Sequence, residues 1–185
     1  MRKDLSEAAQ WFLKDFQKIL DDFADGLGVQ VVVVDREGNL INETYGVQKA
    51  CQMIMATEIG KMRCHDHFKS AVSLVENKEG PIFTQCYAGY VSLWLPIIIK
   101  GSLIGAVVSC GGRYDKGESR KRLVERFTKL IDEIGITYRE GFLRTAIDQP
   151  LIVTKKEMAQ RAEKLKELFD ILSRTAYTPL KEVFE

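Results

Sequence analysis

The chain holds four cysteines, Cys51, Cys64, Cys86 and Cys110, and two histidines, His65 and His67. Cys64-His65-Asp66-His67 puts several donor types into one turn. Zinc takes four N or S ligands, commonly in close pairs, and an iron–sulfur cluster takes about four thiolates. Cys51, Cys64, Cys86 and Cys110 would just suffice for a cluster and form the candidate metal set. Their spacing is scattered, with no CxxC pair, and cysteine is also a common small core residue. Redox sensing is a further use, and it requires an exposed thiol of lowered pKa.

Nucleophilic catalysis needs a base beside the nucleophile. Cys64 and His67 share a helix face at i, i+3, and Cys86 with His65 is the other pairing. Nothing visible orients either imidazole or binds an oxyanion. There is no G-x-S-x-G, no phosphate loop and no dinucleotide fingerprint. The expectation is therefore a non-enzyme with no catalytic residues.

Ligand binding is the favoured chemistry. Tyr87, Tyr90 and Trp94 are interspersed with Gln85, Cys86 and Ser92. Strand alternation puts Tyr90, Ser92 and Trp94 on one face and Val91, Leu93 and Leu95 on the other. The candidate pocket is Cys86, Tyr87, Tyr90 and Trp94, with His65 or His67 approaching from the helix opposite. Apolar walls with a few hydroxyl, amide and imidazole groups suit a small, weakly polar molecule. The alternative is that these aromatics are ordinary sheet core.

The elements that must position them follow from the pattern. Pro81–Cys86, Tyr90–Ile99 and Leu103–Cys110 read as three strands, with a tight Lys100-Gly101 hairpin and a stop at Gly111-Gly112. Gln30–Asp35, a turn over 35–39 and Leu40–Asn42 form an earlier hairpin. Val47–Ala56 and Glu58–Glu76 are helices, the second being the natural cover for the strands. Gly117–Ile134, with Leu123, Phe127, Leu130, Ile131 and Ile134 inward, is a helix ended by Gly135. Tyr138–Ile147 is a short helix stopped before Pro150.

Two amphipathic helices flank the rest. From Asp4 to about Phe23, capped by Asp4 with Glu7 and ended by Gly26 and Gly28, the residues Leu5, Ala9, Phe12, Phe16, Ile19 and Phe23 make a heptad-like stripe, widened by Leu13 and Leu20. After a Thr154–Glu157 capping box, Met158, Ala162, Leu165, Phe169, Leu172 and Ala176 make another, ended near Thr178-Pro179. Packing on the parent domain and dimerisation explain these stripes equally well.

A family resemblance rests on Cys86-Tyr87-Ala88-Gly89, Leu95-Pro96-Ile97, Leu103-Ile104-Gly105 and Gly111-Gly112, with Cys51 and Arg63-Cys64 upstream. Together they resemble the sensory domain named after the propanediol-utilisation regulator PocR, over roughly residues 5–175. Where that family often has Gly-Gln, Gly112 is followed here by Arg113. The resemblance implies a small hydrocarbon derivative such as a short diol as ligand. The element order matches PAS and GAF sensors. It predicts an α+β fold, with a five-stranded antiparallel sheet covered by helices and amphipathic helices at both ends. Residues 1–150 are expected to form the sensory domain and 151–185 a C-terminal signalling or dimerisation helix.

Bulk properties narrow the partners. Lys+Arg number 27 and Asp+Glu 26, a net charge of +1, so no dominant field draws the chain to nucleic acid or a membrane surface. No apolar run approaches the roughly 20 residues of a membrane helix. No apolar segment follows the first charges as in a signal peptide. The expectation is a cytoplasmic homodimeric sensor in a signal-transduction or transcription-regulatory system. Its cysteines are reduced, its output domain or partner lies outside this sequence, and no cofactor is expected. An Fe–S cluster or zinc is the alternative, and a small Cys/His enzyme the second.

Overall fold

The computed structural model describes residues 6–27, 30–43, 48–76, 78, 80–99 and 101–175. In chain order they form α1 (Glu7–Leu27), β1 (Gln30–Asp35), β2 (Leu40–Glu43), α2 (Lys49–Met55), α3 (Glu58–Val75), β3 (Ile82–Gln85), β4 (Val91–Ile99), β5 (Ser102–Tyr114), α4 (Arg120–Ile134), α5 (Arg139–Asp148), β6 (Leu151–Val153) and α6 (Lys155–Thr175).

Five strands form an antiparallel sheet in the order β2-β1-β5-β4-β3. The fold is thus the α+β arrangement expected, a five-stranded antiparallel sheet covered by helices. A short sixth strand was not foreseen. β6 runs parallel to β5, pairing Leu151 with Gly112 and Val153 with Tyr114, beyond Cys110, the last β5 residue that β1 reaches. Three residues are too few to show a periodicity.

β5 also runs through Gly111-Gly112 rather than stopping there. Val91 pairs with Gly112 and Ser92 with Cys110, so Gly111 is an extra residue bulged out of the ladder. Its φ of 101° is a conformation that glycine adopts without strain.

Side-chain alternation divides the sheet into two apolar faces. Val31, Val33, Val91, Leu93, Leu95 and Val107 point to one side, where Phe16, Leu20 and Ala24 of α1 and Met158, Ala162, Leu165 and Phe169 of α6 cover them. Val32, Val34, Trp94, Ala106 and Val108 point to the other, under α3. Farther along that side, α2, α4 and α5 enclose Tyr90. Each fully buried Val, Leu or Phe contributes about 1.5–3 kcal/mol of transfer free energy, so both faces must stay covered.

Among the described residues, Phe16 and Leu20 of the first stripe and Met158, Ala162, Leu165 and Phe169 of the second are therefore core. In α1 the inward set is Phe16, Leu20 and Ala24, four residues apart, while Ile19 is 38% exposed. A straight helix turns 3.6 residues per turn, so the face drifts off a strict heptad. Gly26 lies within α1 instead of ending it. The expected boundary after residue 150 is likewise crossed, because β6 joins the sheet and α6 closes its core. The capping box holds: the Thr154 N–H donates to Glu157 Oε2 and the Glu157 N–H to Thr154 Oγ1. Expectations placed on Asp4, Leu5, Gly28, Val47, Lys100, Ala176, Thr178 and Pro179, and on the side chains of Ala9, Phe12, Leu13, Phe23 and Leu172, lie outside the described residues.

Candidate ligand-binding site

Two local devices shape the site. At the α2–α3 junction, Thr57 Oγ1 accepts the Gly60 N–H at 3.0 Å and donates to the Ile54 carbonyl at 2.9 Å. A Cβ at residue 60 would collide with the Ile54 carbonyl oxygen, so glycine lets the two helices abut. Between β3 and β4, the Cys86 N–H donates to the Tyr90 carbonyl, and the Gly89 N–H donates to the Cys86 carbonyl. Gly89 makes that turn with φ 80°.

The turn is then fastened to the helix. The Tyr87 hydroxyl donates to the Gly60 carbonyl at 2.9 Å and lies 3.4 Å from Cys64 Sγ. With the tyrosine proton committed to Gly60, the thiol is the donor at the second contact. Burial, then the Cys64 contact, pushes the Tyr87 pKa far up, so the phenol stays protonated.

Helix, turn and sheet enclose a cavity of about 170 Å³. α2 supplies Cys51 and Met55, α3 supplies Lys61, Cys64, His65, His67 and Phe68, and the turn supplies Cys86, Tyr87 and Tyr90. The sheet floor is Gln30, Ser92, Cys110 and the bulged Gly111, with Gly38 and Leu40 at one end. The lining is chiefly carbon and sulfur. A cavity of about 150 Å³ in another protein takes benzene, so this volume suits a guest of similar size.

Its polar groups are few. His67 Nε2 lies 3.4 Å from Ser92 Oγ. Burial lowers the His67 pKa, which leaves a neutral ring able to donate and accept near neutrality. Burial raises the Cys86 pKa, so that group is a thiol, not a reactive thiolate. Tyr90 is 1% exposed and its hydroxyl is buried with no hydrogen-bond partner. Burial also pushes its pKa far up.

Of the six residues expected at the pocket, Cys86, Tyr87, Tyr90, His65 and His67 line the cavity. Trp94 does not. It is fully buried, its Nε1–H donates to Thr84 Oγ1 at 3.0 Å, and its ring meets the edges of His67 and Phe68. It shares the face of Ser92 but lies two residues, about 7 Å, farther along the strand. His65 sits at the rim, its Nε2 3.5 Å from Asn39 Oδ1. All four cysteines, set apart as a candidate metal set, line this one cavity. Among the described residues no three His, Cys, Asp or Glu side chains converge as a metal site would. Met55, Phe68 and Gln30 escaped notice in the sequence. The i, i+4 spacing of Cys51 and Met55 was a usable signal for one shared helix face.

The domain is thus an α+β fold with a mostly apolar cavity between sheet and helices. The chain belongs to the family described as the sensory domain found in PocR, which matches residues 12–177. It is 31% identical over 94 residues to the regulatory protein PocR of Salmonella typhimurium, covering 51% of this chain and 31% of that protein. The chain thus spans about a third of that relative's length. The cofactor-binding GAF domain of the nutrient sensor CodY from Clostridium difficile aligns over 66% of this chain and 80% of that one, at 13% identity and a TM-score of 0.28. The family makes this a sensory domain. No helix among the described residues is long and apolar enough to cross a membrane.

Proposed function

We propose that the domain senses a small, mostly apolar molecule bearing at least one hydroxyl, held in the cavity between the sheet and α2–α3. The carrying observation is the Tyr90 hydroxyl, buried and unpartnered on a side chain that lines this mostly apolar cavity. A stranded buried hydroxyl costs about 1–3 kcal/mol, and a ligand hydroxyl would relieve that cost. Ser92 and His67 offer a second polar contact, so a short diol bonded at its two ends fits the chemistry. The family's propanediol-linked name is in keeping with such a guest.

The test is calorimetric binding of short diols and alcohols, beside the melting temperature of Tyr90→Phe. The variant should weaken binding by about 0.5–1.5 kcal/mol and leave the ligand-free protein as stable as before or more so. Binding that is unchanged in Tyr90→Phe, or no binding of any such molecule at millimolar concentration, would refute the reading.

Output is proposed to run from β5 into β6 and α6, and from there to a second copy of the chain in a homodimer. With Phe16 and Phe169 in the core, the outward Ile19 and Ile171 are the residues that would meet a partner helix. A ligand shifts such a pairing only by its differential affinity for the two states. A second reading, as a metal, iron–sulfur or redox sensor, draws support from the four thiols sharing one cavity. Iron content and visible absorption of anaerobically purified protein decide it: brown protein with bound iron favours it, and colourless metal-free protein removes it.

A further inference from the structure

A second cavity, of about 490 Å³, lies between the end of β5, the loop after it and α4, on the other flank of the Cys86–Tyr90 turn. It is polar where the first is apolar. Arg113, Lys116, Arg122 and Arg126 line it, against only two carboxylates, Asp115 and Glu118.

The two inner arginines are incompletely paired. Arg126 Nη1 donates to Glu118, while its Nε and Nη2 are buried with no acceptor. Arg113 Nη2 donates to the Ile147 carbonyl at 3.2 Å, while its Nη1 is buried with no acceptor. A guanidinium cannot shed its proton in a protein, so neither group escapes the cost of burial by neutralising. Each retains the free energy of unmade charge-assisted bonds.

The position of Arg126 is built into the fold. Its guanidinium lies over Gly89, where any Cβ would strike it, and stacks 4.9 Å from the Phe127 ring centroid. The side chain is thereby held against the turn that carries Cys86, Tyr87 and Tyr90. Its free Nε and Nη2 form one edge of the guanidinium fork, the edge that grips two oxygens of a carboxylate or phosphate.

We propose that this cavity binds a small soluble oxyanion, a phosphate or carboxylate group. As the side chains stand, Nε and Nη2 of Arg126 and Nη1 of Arg113 are closed off from the cavity, so the anion engages them by a rotation of the two guanidinium groups, Arg126 through its Nε–Nη2 edge and Arg113 through Nη1. Glu118 occupies the remaining edge of Arg126 and competes with the anion electrostatically. The site is distinct from the apolar cavity, and its occupancy bears on the same turn through Gly89.

Isothermal titration of inorganic phosphate, and separately of acetate, against chloride at matched ionic strength tests this without any apolar ligand. Saturable binding of either anion is expected, and the pair of probes tells a phosphoryl from a carboxylate site. Arg113→Gln and Arg126→Gln should each raise Kd at least about tenfold, since each removes a charge-assisted contact. Glu118→Gln should lower Kd several-fold. Neither anion binding above the chloride control overturns the proposal, as does binding that none of the three substitutions alters. Should the arginine variants fail to fold, the half-exposed Glu118 decides alone: tighter binding in Glu118→Gln sustains the site, and unchanged or weaker binding overturns it.

Discussion

The Tyr87 hydroxyl donates to the Gly60 carbonyl at 2.9 Å, across the cavity mouth from turn to helix. Gly60 is itself buried at the α2–α3 junction, so one hydrogen bond joins the three segments that form the roof. Tyr87→Phe should lower unfolding stability by about 1 kcal/mol and weaken retention of any guest. Urea denaturation reads the first effect, and an unmoved midpoint at unchanged slope would show that the bond contributes nothing.

His67 gives the domain a pH dependence of definite sign. Burial holds its pKa below the ordinary value of 6.5. As pH falls, the unfolded chain therefore takes up the proton first. The stability that rests on neutral His67 is complete above about 6.5 and is lost as pH falls through the lower folded value. Melting temperatures between about pH 7 and pH 5 should decline in the wild type and decline less in His67→Gln. Parallel profiles would refute the assignment.

Phe16 and Phe169 meet edge to face, with ring centroids 5.7 Å apart and planes at 84°. Phe169→Ala should cost about 3–5 kcal/mol, as large core truncations do. The loss should be the same at low and high protein concentration, because the contact lies within one chain. A loss that grows on dilution would instead place the ring between subunits.

Asp35 is 2% exposed. Its Oδ1 accepts the Glu37 and Asn39 backbone N–H groups and its Oδ2 accepts the Asn39 side chain. These bonds hold the turn whose Gly38 closes one end of the apolar cavity. Asp35→Ala should cost at least about 2 kcal/mol, since hydrogen bonds to a charged group are among the stronger ones. It should also loosen that end of the cavity. A melting temperature within error of the wild type would refute this account.

What the sequence disclosed, and what it hid, follows from range. Alternation of Tyr90, Ser92 and Trp94 against Val91, Leu93 and Leu95 is a local property of a pleated strand and is present in the fold as expected. The position of Trp94 along the strand, behind Phe68 and His67, depends on where α3 crosses the sheet, and spacing does not encode that. The gathering of Cys51, Cys64, Cys86 and Cys110 around one space was invisible for the same reason, because each belongs to a different element. Nothing in the spacing of Arg113 and Arg126, thirteen residues apart on a strand and a helix, marks them as neighbours. Only the turn through Gly89 brings Arg126 to the cavity wall that Arg113 shares.

The short parallel strand β6 sets where this chain can be cut. It pairs with the last residues of β5, and the helix that follows lies over Leu93, Leu95 and Val107. A fragment ending near residue 150 would keep every residue around the apolar cavity and still be unmanageable in solution. It would bare the part of the sheet face that α6 covers together with an unpaired strand edge, the two surfaces through which β proteins adhere to one another. Fusion partners, reporters and tags are therefore best joined beyond α6, because a junction at 150 would trade a sensor for an aggregate.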